Sequence, residues 1–391
     1  MTDTPTLTTR VDRVSASRTF AHSELHSSPA LGRLVGGITN EMISRAYALA
    51  PTPGPDINVV LHVIDADDPK PYRRKNAPTF VIAVAEVPEP PPDNDTLLRV
   101  GYPLLVQGLA NLCVLVSDTP DGLAVRFVTL EQGTYGVGPG FSDAEVCARA
   151  FERIAPLAAS RLVIANDIRP DLPRALWEGD DATRQMLDAG RALDALDLLP
   201  SPFPLERILA PRDLRHVKLL YGIGGLSYGN VSARFRGDGV EAVPDPGGPL
   251  FWMSASGVDK SDLRNIGEHI LMVRGYDADQ DAMILSVPPD VPVKRVSVDA
   301  IEHWMIYREH PDVGAILHVH GWIDATPSTD VNYPCGTLDL ATAVAELVRR
   351  SPDPVHAVVG QRNHGLTITG ESLDEIFARV GDKITRTVPM E

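Results

Sequence analysis

From residue 31 to residue 383, short β-branched runs take turns with amphipathic helical runs, and an α/β architecture is what accommodates that alternation. In the first half, apolar Leu31, Leu34, Val35, Ile38, Met42 and Ile43 follow helical spacing over 32–50, until the cluster PTPGPD at 51–56 stops the run. Strands are predicted at 57–64, 79–87, 112–117, 123–130 and 161–168, with helices at 95–110, 143–159 and 174–194. Ser142 is placed to cap the second of these helices. The second half repeats the alternation, with helices predicted at 211–221, 298–309, 338–350 and 372–383. Strands there come early and close together, at 250–254, 268–274 and 283–286, and later in the run that carries His318 and His320 and at 355–359.

A length of 391 residues favours two domains over one core. The Pro-rich segment LPSPFP at 199–204 is the expected boundary, separating an N-terminal α/β domain, 26–200, from a second domain, 205–391. Residues 1–25, rich in Thr, Ser, Asp and Arg, read as a disordered tail. The formal net charge of −16 argues against nucleic acid or an anionic membrane as the main partner, because both need a basic face. Cys113, Cys147 and Cys335 are odd in number and far apart, which excludes a disulfide framework and a CxxC metal knuckle. With no apolar run long enough to span a bilayer and no signal-peptide core at the N-terminus, the chain reads as intracellular and cytoplasmic.

The stretch IEHWMIYREHPDVGAILHVHG, 301–321, joins a helix to a strand that ends in two histidines. Residues i and i+2 of a strand face the same way, so His318 and His320 project side by side. His364, after another strand-like run, would complete a set of three imidazoles with coordination positions left open, as a catalytic divalent site requires. The other reading of each is a buried histidine with satisfied hydrogen bonds. Asp299, at the start of the preceding helix, is either a helix cap or a carboxylate able to join the metal or act as general base. Two turns could bind an anion: GGLSYGNVS, with Gly224, Gly225, Gly229, Asn230 and Ser232, and SASG, with Ser254, Ser256 and Gly257. Lys294, Arg295 and Ser297 lie close before the helix. The turn GTYGVGPG at 133–140 fits no nucleotide-loop spacing, and KPYRRK at 70–75 reads as a solvated loop.

Four motifs in this order, GGLSYGNVSARF, SASGVDKSDL, VDAIEHWMIYREHPDVGAILHVHG and NHGLTITG with SLDEIFARV, resemble the class II aldolase/adducin family over 205–391. No family is recognised in the N-terminal half. The resemblance implies an α/β/α sandwich around a mainly antiparallel sheet. It implies a metal-dependent lyase acting on a C–C bond next to a carbonyl of a small hydroxy-carbonyl or sugar (phosphate) substrate. Metal ligands fall on His318, His320 and His364, and the family's catalytic glutamate falls on Asp299. Substrate or phosphate contacts fall on Asn230, Ser256, Gly257 and Ser297. The implied ion is Zn2+, with Fe2+, Mn2+ and Co2+ as others for this donor set, and the implied assembly is a homotetramer. The chain departs from the pattern in its shorter acid, in Val298 where a serine is expected, in a short interval between His320 and His364, and in lacking a C-terminal tyrosine proton donor. On the same scaffold an epimerase, dehydratase, decarboxylase or iron oxygenase is an alternative. So is a non-catalytic assembly module in the manner of adducin, which would not need an intact histidine set.

Overall fold

The structure, a computed structural model, describes residues 18–24, 26–75, 79–129, 133–196, 198, 209–220, 229–237, 248–386 and 388–389. The chain divides into two compact units. One comprises Met1–Pro90, Gln107–Arg126 and Val137–Ile154, and the other Pro91–Val106, Phe127–Gly136 and Ala155–Glu391.

The N-terminal sheet contains β1 (Thr19–Glu24), β2 (Ala48–Leu49), β3 (Val59–Val63), β4 (Phe80–Glu86), β5 (Leu112–Thr119), β6 (Gly122–Thr129) and β7 (Gly133–Val137), in the order β2-β1-β3-β4-β5-β6-β7. The pairings from β2 through β5 are parallel. Strands of that kind are covered on both faces, and β3 is buried along its whole length, in keeping with its unbroken run VVLHV. Helix α1 (Pro29–Ser44) begins at Ser28, whose hydroxyl accepts from the Leu31 N–H, and it buries Leu31, Leu34, Val35, Ile38 and Met42. It stops short of the expected residue 50: Ala46 takes a left-handed φ of 64°, and Ala48–Leu49 turns back to the sheet edge. Ile43, still within the helix, lies off the buried stripe and is 50% exposed. After α2 (Asn94–Gln107), α3 (Asp143–Ala159) starts where Ser142 predicts. The Ser142 N–H donates to the Glu145 carboxylate at 3.0 Å, and the Glu145 N–H donates back to the Ser142 hydroxyl at 3.4 Å.

The second sheet contains β8 (Ala165–Arg169), β9 (Gly229–Arg234), β10 (Phe251–Ser254), β11 (Ile270–Asp277), β12 (Ala282–Ser286), β13 (Ala315–Val319), β14 (Val358–Gln361) and β15 (Gly365–Gly370). Its order is β14-β15-β13-β9-β10-β11-β12-β8, and every pairing is antiparallel except β12 with β8. The helices of this half are α4 (Asp181–Ala195), α5 (Pro211–Leu220), α6 (Ala300–Glu309), α7 (Leu338–Arg350) and α8 (Leu373–Val380). Two helix pairs, α4 with α8 and α6 with α7, pack against the sheet. Mixed α/β structure with two sheets is thus what the alternation of residues produces. Among the described residues no helix is long and apolar enough to cross a membrane.

The expected boundary at 199–204 does not separate the two units. β8 and α4, read from the sequence as part of the first domain, belong to the second unit. β8 pairs in parallel with β12, Ala165 opposite Ala282. Gly190 of α4 lies so near the 260 backbone that a Cβ there would stand 1.9 Å from the Lys260 carbonyl oxygen. The Pro-rich segment itself lies outside the described residues, as do Gly224 and Gly225 of the glycine-rich turn and residues 1–17 of the expected tail 1–25, whose residues Thr19–Glu24 form β1 and are not disordered. The helix expected at 174–194 is two elements, a 3-10 turn at Arg174–Leu176 and α4. Gly179 at φ 77° and an Asp180–Thr183 capping box separate them.

Candidate metal centre

β13 lies at the middle of the site because both of its neighbours start on a glycine. A Cβ on Gly229 would stand 2.1 Å from the His318 carbonyl oxygen, and one on Gly365 would stand 2.1 Å from the Val319 carbonyl oxygen. Only glycine lets β9 and β15 close on β13 from both sides at that level. In the resulting register Asn230, His318 and Thr367 stand directly opposite one another across three strands, so their side chains share one face.

His318 is the penultimate residue of β13, and His320 follows its end. His364 closes the turn between β14 and β15, where Asn363 takes a left-handed φ of 59°. One ligand atom from each of the three imidazoles lies within 4.8 Å of the others. The Nε2 atoms of His320 and His364 are 3.0 Å apart. Two of the tautomers follow from the acceptors behind the rings. His318 Nδ1 faces the Leu366 carbonyl oxygen at 3.0 Å, and His364 Nδ1 faces the Gln361 side-chain oxygen at 2.6 Å. Both Nδ1 atoms must therefore donate, which leaves each Nε2 with its lone pair. His318 Nε2 is buried with no hydrogen-bond partner among the described residues. Burial brings the His318 imidazole down to about 4. Burial and then the neighbouring His320 and His318 push His364 well below its ordinary value. Neutral, inward-facing nitrogens with one lone pair each are the donor set that a divalent ion takes.

That set carries a stability consequence. A histidine neutral in the folded state and free to protonate when unfolded contributes stability that is complete above the unfolded value, near 6.5, and is lost as pH falls toward the folded value. For His318, depressed to about 4, the metal-free protein should lose on the order of 3 kcal/mol between those two limits. Urea unfolding at pH 7 and pH 5 reads this, and equal midpoints at both pH values would contradict the neutral assignment.

α6 crosses the row of polar residues on the sheet. Asp299 stands at its N-cap, but its side chain makes no capping hydrogen bond. The carboxylate instead accepts from Asn230 Nδ2 at 2.7 Å through Oδ2, while Oδ1 is buried with no partner among the described residues, as is Asn230 Oδ1. The helix-cap reading of Asp299 is thereby removed. Burial raises its carboxyl above the usual range, against the pull of the Asn230 hydrogen bond, His320, the Ser297 hydroxyl and Lys260. One turn further on, His303 meets the Ser232 hydroxyl at 2.7 Å, and Tyr307 meets the same hydroxyl at 2.9 Å.

The SASG turn is brought beside Ser297. The Ser256 N–H donates to the Arg295 carbonyl at 2.9 Å, and the Ser297 N–H donates to the Ser254 carbonyl at 3.2 Å. These bonds occupy two of the backbone donors that the anion-binding reading had available. Gly257 sits at a left-handed φ of 66°. Lys294 and Arg295 are exposed, and Lys294 pairs with Glu268 at 3.7 Å.

Several residues of the site were not singled out from the sequence. Lys260 is buried, its ammonium donates to the Ala255 and Val258 carbonyls at 3.0 and 3.3 Å, and burial lowers it to about 8. Cys335 Sγ lies 3.4 Å from both ring nitrogens of His364. Glu302, one helical turn after Asp299, accepts from Thr367 Oγ1 at 2.6 Å and from Gln361 Nε2 at 2.9 Å. The available signal for Glu302 was its i, i+3 relation to Asp299 in a helix otherwise rich in large apolar residues.

Comparison with known proteins adds a sequence match and a set of structural likenesses. Residues 215–323 match the model of the class II aldolase and adducin N-terminal domain. Comparison with curated protein sequences gives no match. The structure is similar to an L-fuculose 1-phosphate aldolase, at 17% identity over 52% of this chain and 82% of that chain, with a TM-score of 0.33. It is also similar to YgbL of Klebsiella pneumoniae, described as a putative aldolase/epimerase/decarboxylase, at 17% identity over 51% of this chain and 84% of that one, with a TM-score of 0.31. A third likeness is to the N-terminal class II aldolase domain of a Thermoplasma acidophilum protein, at 14% identity over 52% of this chain and 90% of that one, with a TM-score of 0.34. His318 and His320 fall within the sequence match and His364 beyond it. By that match residues 215–323 of this chain belong with the class II aldolase and adducin N-terminal domains.

Proposed function

We propose that the protein is a metal-dependent lyase of aldolase type that makes or breaks a C–C bond next to a carbonyl of a small hydroxy-carbonyl or sugar substrate. The observation that carries this reading is a set of buried polar atoms in one part of the sheet: His318 Nε2, Asp299 Oδ1 and Asn230 Oδ1, all without partners among the described residues, beside the gathered nitrogens of His320 and His364. His318, His320 and His364 would hold a divalent ion, for which zinc is our first choice and iron, manganese and cobalt the others. Once bound, it supplies Lewis-acid polarisation of the substrate carbonyl.

The chain's own residues do the rest. Asp299 takes a proton from, or returns it to, the carbon beside the carbonyl through Oδ1, the oxygen that Asn230 leaves open. Asn230, by holding Oδ2, fixes the direction of that lone pair. A carboxyl raised by burial is a stronger base once ionised than one in water, which suits a weakly acidic C–H. Ser256, Gly257 and Ser297 are our candidates for contacts to the distal end of the substrate. With the Ser256 and Ser297 N–H groups engaged and a valine at 298, a phosphate there would rely on hydroxyls and the Gly257 N–H. We read the enzyme as cytoplasmic and as a homo-oligomer, a tetramer by family resemblance.

A screen of aldehyde and ketone donors against protein of defined metal content tests the reading. Cleavage or condensation that needs the metal is the expected result. Metal-dependent epimerisation, dehydration or decarboxylation without C–C cleavage would replace the aldol chemistry, and oxygen uptake with iron would point to oxygenation. Purified protein that binds no divalent ion would remove the metal from the proposal.

A further inference from the structure

Behind the three imidazoles runs a chain of hydrogen bonds whose polarity follows from an acceptor at Glu302 Oε2. Gln361 joins its two ends: its Nε2 lies 2.9 Å from Glu302 Oε2 and 3.0 Å from Thr367 Oγ1, and its Oε1 lies 2.6 Å from His364 Nδ1. Thr367 in turn donates to Glu302 Oε1 at 2.6 Å. Turning the Gln361 amide over would set its oxygen against the Glu302 carboxylate, so the NH2 must face Glu302 and the oxygen must face His364. An oxygen acceptor at Nδ1 then requires the His364 proton to sit there, leaving Nε2 as the nitrogen free to ligate. Glu302, Gln361 and Thr367 are all buried, so a member of the chain left without its partner is costly.

We propose that Glu302 is a positioning residue of the metal centre: acting through Gln361, it selects the His364 tautomer that presents Nε2 to the ion. This rests on the metal reading above and goes beyond it, because Glu302 touches neither ion nor substrate. The direction of the chain holds as long as Oε2 of Glu302 carries no proton and so remains an acceptor. An amide at 302 removes that requirement, because either of its ends can face Gln361. A glutamine there can donate to Gln361 Oε1, let that amide turn over, and confront His364 Nδ1 with an NH2 group. His364 would then carry its proton on Nε2, toward the other imidazoles and away from use as a ligand.

The test uses the full-length, metal-free protein and Co2+ alone as the probe, with affinity from calorimetric titration and geometry from the cobalt visible spectrum. Glu302→Gln is expected to weaken Co2+ binding by ~10–100-fold, the range for losing a partner one step behind a ligand. The double variant Glu302→Gln with Gln361→Glu restores the polarity, because the amide introduced at position 302 donates to the carboxylate introduced at position 361, which in turn accepts from His364. It is expected to return affinity to within roughly tenfold of the parent and to recover the parent spectrum. A role for Glu302 in filling space alone would give no such rescue. Should Glu302→Gln fail to fold, the 15N shifts of the histidine rings in the metal-free parent decide the matter. A His364 protonated on Nδ1 is the expected result, and one protonated on Nε2 overturns the proposal. Parent and Glu302→Gln proteins with equal affinities and spectra would also overturn it while leaving the metal site intact. A parent that binds Co2+ no better than His364→Ala would instead bring down the metal reading itself.

Discussion

Alanine at His318 is expected to abolish stoichiometric retention of a divalent ion and, with it, turnover. His318 Nε2 is buried without a partner among the described residues, and its Nδ1 is tied to the Leu366 carbonyl, so the ring is held with its one lone pair unused. Losing a direct ligand should cost more than the ~10–100-fold in affinity that loss of an outer partner brings. Metal analysis and calorimetric titration give the direct readout. Thermal melting gives a control, because an ion that binds only the folded state raises the melting temperature, and more so the tighter it binds. The parent protein should therefore melt lower after chelation, and His318→Ala should melt at the same temperature with or without chelator. Stoichiometric metal in the purified variant would refute the assignment of His318.

Asparagine at Asp299 is expected to separate catalysis from metal binding. The change keeps the size of a side chain that is only 5% exposed, and the Asn230 amide can still donate to the oxygen that remains. If Asp299 moves the proton, kcat should fall by roughly 10²–10⁴, with the metal affinity and the KM changed far less. The pH profile adds a second criterion. A base must be ionised to act, so kcat in the parent should rise with pH as Asp299 loses its proton. The residual activity of Asp299→Asn should lack that rise. A loss of metal as severe as that of His318→Ala would instead make Asp299 a ligand, and an unchanged kcat would leave it without a role in the reaction.

Much of the fold and of the site is legible in the residues themselves because the determinants are local. A period of two places His318 and His320 on one face, and the burial of α1 follows the spacing of Leu31, Leu34, Val35, Ile38 and Met42. The cap at Ser142 and the helix at 338–350 are likewise properties of a few adjacent side chains. Glycines at 229 and 365 could be seen as turn residues, but the contact that requires them, β9 and β15 closing on β13, is made by strands far apart in the chain.

What only the tertiary structure decided is pairing. β8 lies in the second sheet because its partner is β12, and no local feature of ANDIR names that partner. The register Asn230–His318–Thr367 determines that Asp299 finds an amide and Glu302 a hydroxyl. The same long-range packing turned Asp299 from helix capping to Asn230, engaged the N–H of Ser256 with Arg295, and set Glu302 behind His364 through Gln361. A sequence states which hydrogen-bonding groups a residue carries. Which groups meet in a dry interior depends on strand register and helix placement, and those are properties of the assembled sheet.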